Sequence, residues 1–168
     1  MPYTDWYKLL YAIKIMKIKS AFHSISYLQY PLMLLALFFS FRPYLNGFEY
    51  LQNHFDEIII AYNNALIFAG LAISFSTLQD TNKTQNKLSK KIWENPKKGK
   101  KVIITLTLLT FTILTFGIFG FFISTKESLN ELSFGIIVFG IGLIGFLKTG
   151  IEMFDTHRKD KNTNANTA

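Results

Sequence analysis

Two pairs of long apolar runs flank a lysine-rich segment, Gln79 to Lys101, and this alternation constrains the fold more than any other feature of the chain. Each run is about 20 residues long, enough to cross roughly 30 Å of hydrocarbon as a helix rising about 1.5 Å per residue. The runs lie at about Phe22–Phe41, Ile58–Leu78, Val102–Ile123 and Leu132–Met153. The reading is an all-α integral membrane protein, a four-helix bundle of two antiparallel hairpins in a single domain over residues 21–155. With 49% hydrophobic residues in 168, a soluble domain of this size is not expected.

Charge orients the helices. Four Lys or Arg precede the first span, one (Arg42) follows it, eight lie in the central segment, one (Lys126) lies between the third and fourth spans, and four come after Leu147. Positive residues collect on the cytoplasmic side of membrane proteins, so both termini and the central segment are expected there. The net charge of +7 sits beside apolar runs, which points to anionic lipid headgroups and not to nucleic acid. The expected contacts are Lys83, Lys87, Lys90, Lys91, Lys97, Lys98, Lys100 and Lys101. The central segment should prolong the second helix until Asn95 and Pro96 end it, with Trp93 returning to the interface.

The termini read differently from the spans. Residues 1–20 mix Trp6, Leu9, Leu10, Ile13 and Met16 with four lysines, a pattern suited to a basic helix lying in the interface. No small-residue cleavage site follows a continuous apolar core there, so a removable signal peptide is not expected. The tail, residues 156–168, reads as disordered.

Within the spans, small and polar residues mark contact faces. Ala61, Ala65 and Ala69 form a small-xxx-small stripe that would let another helix approach closely. Asn63 and Asn64 lie inside the boundary of the same span, where an amide facing lipid is costly, so they should form interhelical bonds or line a polar path. Thr105, Thr112 and Thr115 fall within about 80° of one another on a helical wheel and join that second possibility, although a hydroxyl can also bond its own preceding turn. Pro31 should kink the first span. Gly140, Gly142 and Gly145 spell G-x-G-x-x-G but sit inside an apolar run without a preceding strand, so they read as close helix contact and not as a dinucleotide site. Lys148 and Glu152 read as a local ion pair.

Catalytic signatures are absent from the sequence. There is no cysteine, no G-x-S-x-G, no H-E-x-x-H and no Walker loop. On the expected topology His54 faces the opposite side from His23 and His157, and His54 with Asp56 and Glu57 is a sparse set for a cation. No cofactor and no metal are expected. The expectation is a non-catalytic accessory or interaction subunit, multi-pass in a bacterial cytoplasmic membrane, that forms homo-oligomers or binds another membrane protein. A homo-oligomeric ion channel or small transporter is the alternative. The bacterial assignment follows from Lys, Asn, Ile and Phe richness.

Overall fold

The computed structural model describes residues 18–79 and 87–162, and every regular element among them is helical. In chain order these are α1 (Gln29–Phe41), a 3-10 turn (Arg42–Asn46), α2 (Phe48–Asn53), α3 (Phe55–Ser76), α4 (Lys87–Trp93), α5 (Pro96–Ile123), α6 (Glu127–His157) and α7 (Lys159–Asn162). Four stretches are long and apolar enough to span a membrane, namely Ile18–Asn46, which contains α1, together with α3, α5 and α6. The chain is therefore a multi-pass membrane protein on its length and apolarity. Most of the expected interfacial helix, Lys83 and the last six residues lie outside the described residues.

Local chemistry sets the boundaries. Pro31 has no N–H to offer the Tyr27 carbonyl, and the Tyr30 N–H takes that oxygen instead at 3.2 Å. The tightening spreads backward through Tyr27 to Ser24 and Leu28 to Ile25 bonds, so the irregular turn falls at Tyr27 and Leu28, before the proline. Helix α3 stops at Ser76, where the expected continuous helix does not form. Its last turn is rich in hydroxyls that bond back to the backbone, Ser74 to Gly70, Ser76 to Ile73 and Thr77 to Ser74. Such bonds compete with the regular ladder. Asn95 caps α5 by accepting from the N–H groups of Lys97 and Lys98, both at 3.1 Å, with Pro96 in the first turn. At the other end of the chain, helix persists through His157 where disorder was expected. Thr156 donates to the Glu152 carbonyl, and the Arg158 guanidinium lies over the Phe154 ring at 5.6 Å.

The four long helices pack as a row in the order α1, α3, α6, α5. Helix α3 therefore needs two contact faces, and its small residues supply them. On one side lie Ala61, Ala65 and Ala72, all buried, with Ala69 half-buried at their edge. Phe68, adjoining this face, stacks on Phe39 of α1 with centroids 5.4 Å apart, and Tyr62 shares a 2.7 Å hydrogen bond with Tyr44. On the opposite side, Asn63 and Gly70 meet α6. A Cβ on Gly70 would lie 2.8 Å from the Phe139 Cα, one on Gly135 would lie 2.8 Å from the Asn63 carbonyl, and one on Gly142 would strike the backbone of Gly70.

These contacts keep one register. Asp56 with Ser128, Asn63 with Gly135 and Gly70 with Gly142 advance together in steps of seven residues on both helices. Because both residue numbers rise together, α3 and α6 run in the same direction, and a seven-residue step keeps one seam in contact along the pair. Helix α5 then packs on a second face of α6. Gly117 opposes Ile136 and Ile137, Gly120 opposes Ser133, and Gly140 opposes Leu114. The three glycines of the G-x-G-x-x-G string thus serve two neighbouring helices, Gly140 meeting α5 while Gly142 meets α3 and Gly145 meets Thr77, the residue that caps its end.

Overpacking should test this seam. Gly142→Ala places its methyl against backbone that cannot step aside, and a loss of about 1–3 kcal/mol is expected in a reversible detergent-unfolding titration. Gly145→Ala, whose Cβ would meet the Thr77 side chain at 3.2 Å, should cost less. Equal effects at the two sites would show that the seam is not close-packed.

Candidate functional site

The charged groups of the row separate into two ends. At the end carrying the 3-10 turn and the start of α6, Glu49, Asp56, Glu57, Glu127 and Glu131 are accompanied among the described residues by only Arg42 and Lys126 in opposite charge. At the other end lie the second half of the lysine-rich segment and the close of α6. Each end presents a different site.

At the acidic end, a cleft of about 550 Å³ opens between α3 and α6, with Phe121 of α5 at its side. Ile60, Ile67 and Phe134 form apolar walls, Asn63 and Asn64 project from α3, and Glu127, Asn130 and Glu131 come from the first two turns of α6. Glu127 and Glu131 share a face because they are four residues apart on one helix. Their position at a helix N-terminus favours negative charge. Both also line an adjoining cleft with Asp56, Lys126 and Ser128, where the Ser128 hydroxyl donates to Asp56 Oδ1 at 2.7 Å. Asn63 is only 8% exposed, and its Oδ1 has no hydrogen-bond partner. A Cβ on Gly135 would lie 2.5 Å from that oxygen, so only a glycine admits the amide here.

At the basic end the segment after Lys87 is docked on the end of α6. Trp93 is buried, and the nearest side chain to a Cβ built on Gly150 is its ring, at 3.4 Å. Gly99 lies under the Phe154 ring, where any Cβ would collide. Glu94 ties the two stretches together. Lys159 Nζ lies 2.8 Å from its carboxylate, Lys90 Nζ lies 3.7 Å away, and the Lys159 N–H donates to the Glu94 carbonyl at 3.3 Å. The Lys159 hydrogen bond, then the charges of Lys159 and Lys90, hold the Glu94 carboxyl below the ordinary glutamate range against an opposing effect of desolvation. Lys87, Lys90, Lys91, Lys97, Lys98, Lys100 and Lys101 are all exposed around this clamp.

Asn63 and Asn64 reach the acidic cleft, whereas Thr105 and Thr112 are exposed on α5 and Thr115 is half-buried, so the asparagines and the threonines are not brought together. Thr105 bonds back to the Lys101 carbonyl. The buried threonine is Thr110, whose Oγ1 lacks a partner. Lys148 and Glu152 pair at 3.5 Å. His54 stands at the break before α3, and among the described residues no three His, Asp or Glu side chains converge on a metal-sized site. Glu127, Asn130 and Glu131 were hidden from sequence reasoning because Ser124–Glu131 reads as a turn, whereas α6 begins at Glu127. Their helical spacing was the available signal.

Against known proteins, no family model, no curated protein and no solved structure matches the chain.

The Glu94 clamp gives a pH prediction. A group whose folded pKa is depressed contributes stability above its unfolded value and loses it as pH falls through the folded value. The contact between α4 and the end of α6 should therefore hold through neutral and mildly acidic pH, and loosen only below the ordinary glutamate range. A carbon-13 NMR titration should find the Glu94 carboxyl titrating low, and Lys159→Ala should return it toward the ordinary value. An unshifted wild-type titration would remove the clamp.

Proposed function

We propose that the chain is a non-catalytic accessory subunit of a bacterial cytoplasmic membrane, folded as two antiparallel hairpins with both termini inside. The hairpin arrangement is supported by Tyr44 meeting Tyr62 at one end of α1 and α3, and by Gly120 meeting Ser133 while Gly99 meets Phe154 along α5 and α6. The orientation rests on the lysine-rich segment, because positive residues are retained on the cytoplasmic side. Four lysines at the start of α5, with no acidic residue in its first turn, add to the positive end of the helix dipole. Anionic headgroups relieve that concentration of charge, at about 1 kcal/mol per lysine near the surface.

The single observation carrying the accessory reading is the outer face of α5. This helix packs chiefly on α6 and leaves Phe111, Phe116, Phe119 and Phe122 exposed, with Phe122 at 81%. Exposed Thr105 and Thr112 lie on the same face. Small hydroxyl residues among large aromatic ones let a neighbouring helix approach and interlock, from a second copy or from another membrane protein. A path through one chain is disfavoured by the backbone contact at Gly70 and Gly142, so a conduit would require several copies around an axis.

The absence of native cysteine makes one scanning experiment decisive for both parts. In intact cells an impermeant maleimide should label Thr125→Cys but not Lys91→Cys. A photo-crosslinker attached at Thr112→Cys should capture a protein neighbour, and Phe116→Ala should weaken that capture several-fold. Capture of lipid alone at Thr112 would remove the accessory reading, and reversed labelling would remove the orientation.

A further inference from the structure

Besides its contacts with α1 and α6, helix α3 carries a third stripe that the row leaves open. Ile60, Asn64, Ile67 and Leu71 recur at intervals of four, three and four residues, the spacing at which one helix packs lengthwise on another. Ile60 and Leu71 are exposed, and Asn64 and Ile67 are half-buried. The apolar members need no protein partner in lipid. Asn64 does, because it stands near the middle of α3 and its amide makes no hydrogen bond among the described residues. Asn64 and Ile60 line two clefts at once and so form the ridge between them. The cleft on the α6 side carries Glu127 and Glu131, and the one on the α1 side carries Arg42 and Asn46. Glu57 lies in the cleft of Arg42, and Lys126 adjoins the two glutamates. Even so, none of Arg42, Glu127 and Glu131 belongs to an ion pair among the described residues.

We propose that this face of α3 is the contact between two copies of the chain, related by a two-fold axis along the membrane normal. Such an axis keeps equal depths together, so Asn64 meets Asn64 of the second copy. An amide is donor and acceptor at once and therefore satisfies its own copy. A single asparagine in a helix seam also fixes the register of the pair. The axis reverses the order of the row. Because α1 and α6 flank α3 on opposite sides, α6 of one copy lies over α1 of the other, which carries Glu127 and Glu131 toward Arg42 of the second copy, twice over. Each cleft thus receives the charge that it lacks. An unrelated helix would have to bring an amide at the same depth together with both charges, whereas a second copy brings all three by symmetry. The contact is separate from the outer face of α5 and does not depend on it, so capture at Thr112 and association through α3 succeed or fail independently.

Single cysteines in the otherwise cysteine-free chain test this contact in native membranes. On oxidation, Ile67→Cys, which keeps Asn64, should form a disulfide-linked dimer several-fold faster than Ile73→Cys, which is nine residues from Asn64 and so on the opposite side of α3. Adding Asn64→Leu should slow the Ile67→Cys reaction several-fold. That variant puts an apolar group where the amide had no partner within the chain, so a slower reaction is not a loss of fold. Arg42→Glu should slow the reaction as well, and Glu127→Arg/Glu131→Arg in the same chain should restore it. Equal rates at Ile67→Cys and Ile73→Cys, a rate untouched by Asn64→Leu, or a photo-crosslinker on Ile67→Cys that captures only lipid or only another protein overturns the proposal.

Discussion

The backbone contact between Gly70 and Gly142 holds the centre of the molecule. Within a bilayer, apolar side chains gain little by leaving lipid for protein, so helices associate through close van der Waals packing and a few polar bonds. That gain requires backbones to approach, and approach requires the smallest side chains at the crossing. Because Asp56, Asn63 and Gly70 meet Ser128, Gly135 and Gly142 at one constant register, a single seam organises α3 and α6 along much of their length. The outer helices are secondary to it. Helix α1 rests on the alanine face of α3, and α5 rests on the second glycine face of α6.

The same seam separates two chemically different ends. Its glycines close the middle, and Asn63 marks the level where the acidic cleft stops against Gly135. Beyond the other end, Trp93, Gly99 and Glu94 fasten the second half of the lysine-rich segment to the end of α6. The lysines therefore stand on a docked platform and not on a free loop. For the proposed contact with anionic headgroups, a charge array held in place has no backbone of its own to order first, which lowers the entropic cost.

Much of this was legible in residue order, and the parts that were not share a cause. Span length and number follow from apolar runs, because hydrocarbon thickness is a one-dimensional constraint. Small residues at Ala61 and Ala65 announced a contact face, but the helical wheel could not say that α3 has two such faces, or that Ala72 continues the first while Gly70 belongs to the second. That depends on which helices are neighbours. Pro31 announced an irregularity whose place, one turn earlier, was decided by the carbonyl it fails to satisfy. Helix α3 ends at Ser76 among a cluster of hydroxyls bonded to its last carbonyls, which a hydrophobic pattern does not register. The acidic cleft was the largest omission. Its carboxylates and its asparagines lie on helices separated by the entire third span, and only the α3 to α6 seam brings them to one place.

The most direct measurement is disulfide formation in the double variant Asp56→Cys/Ser128→Cys, expressed in a chain that otherwise has no cysteine. The native side chains at these positions touch at 2.7 Å, so the seam predicts rapid crosslinking within one chain that is independent of protein concentration. Failure to crosslink, or crosslinks only between chains, would contradict the register on which the account of both ends depends.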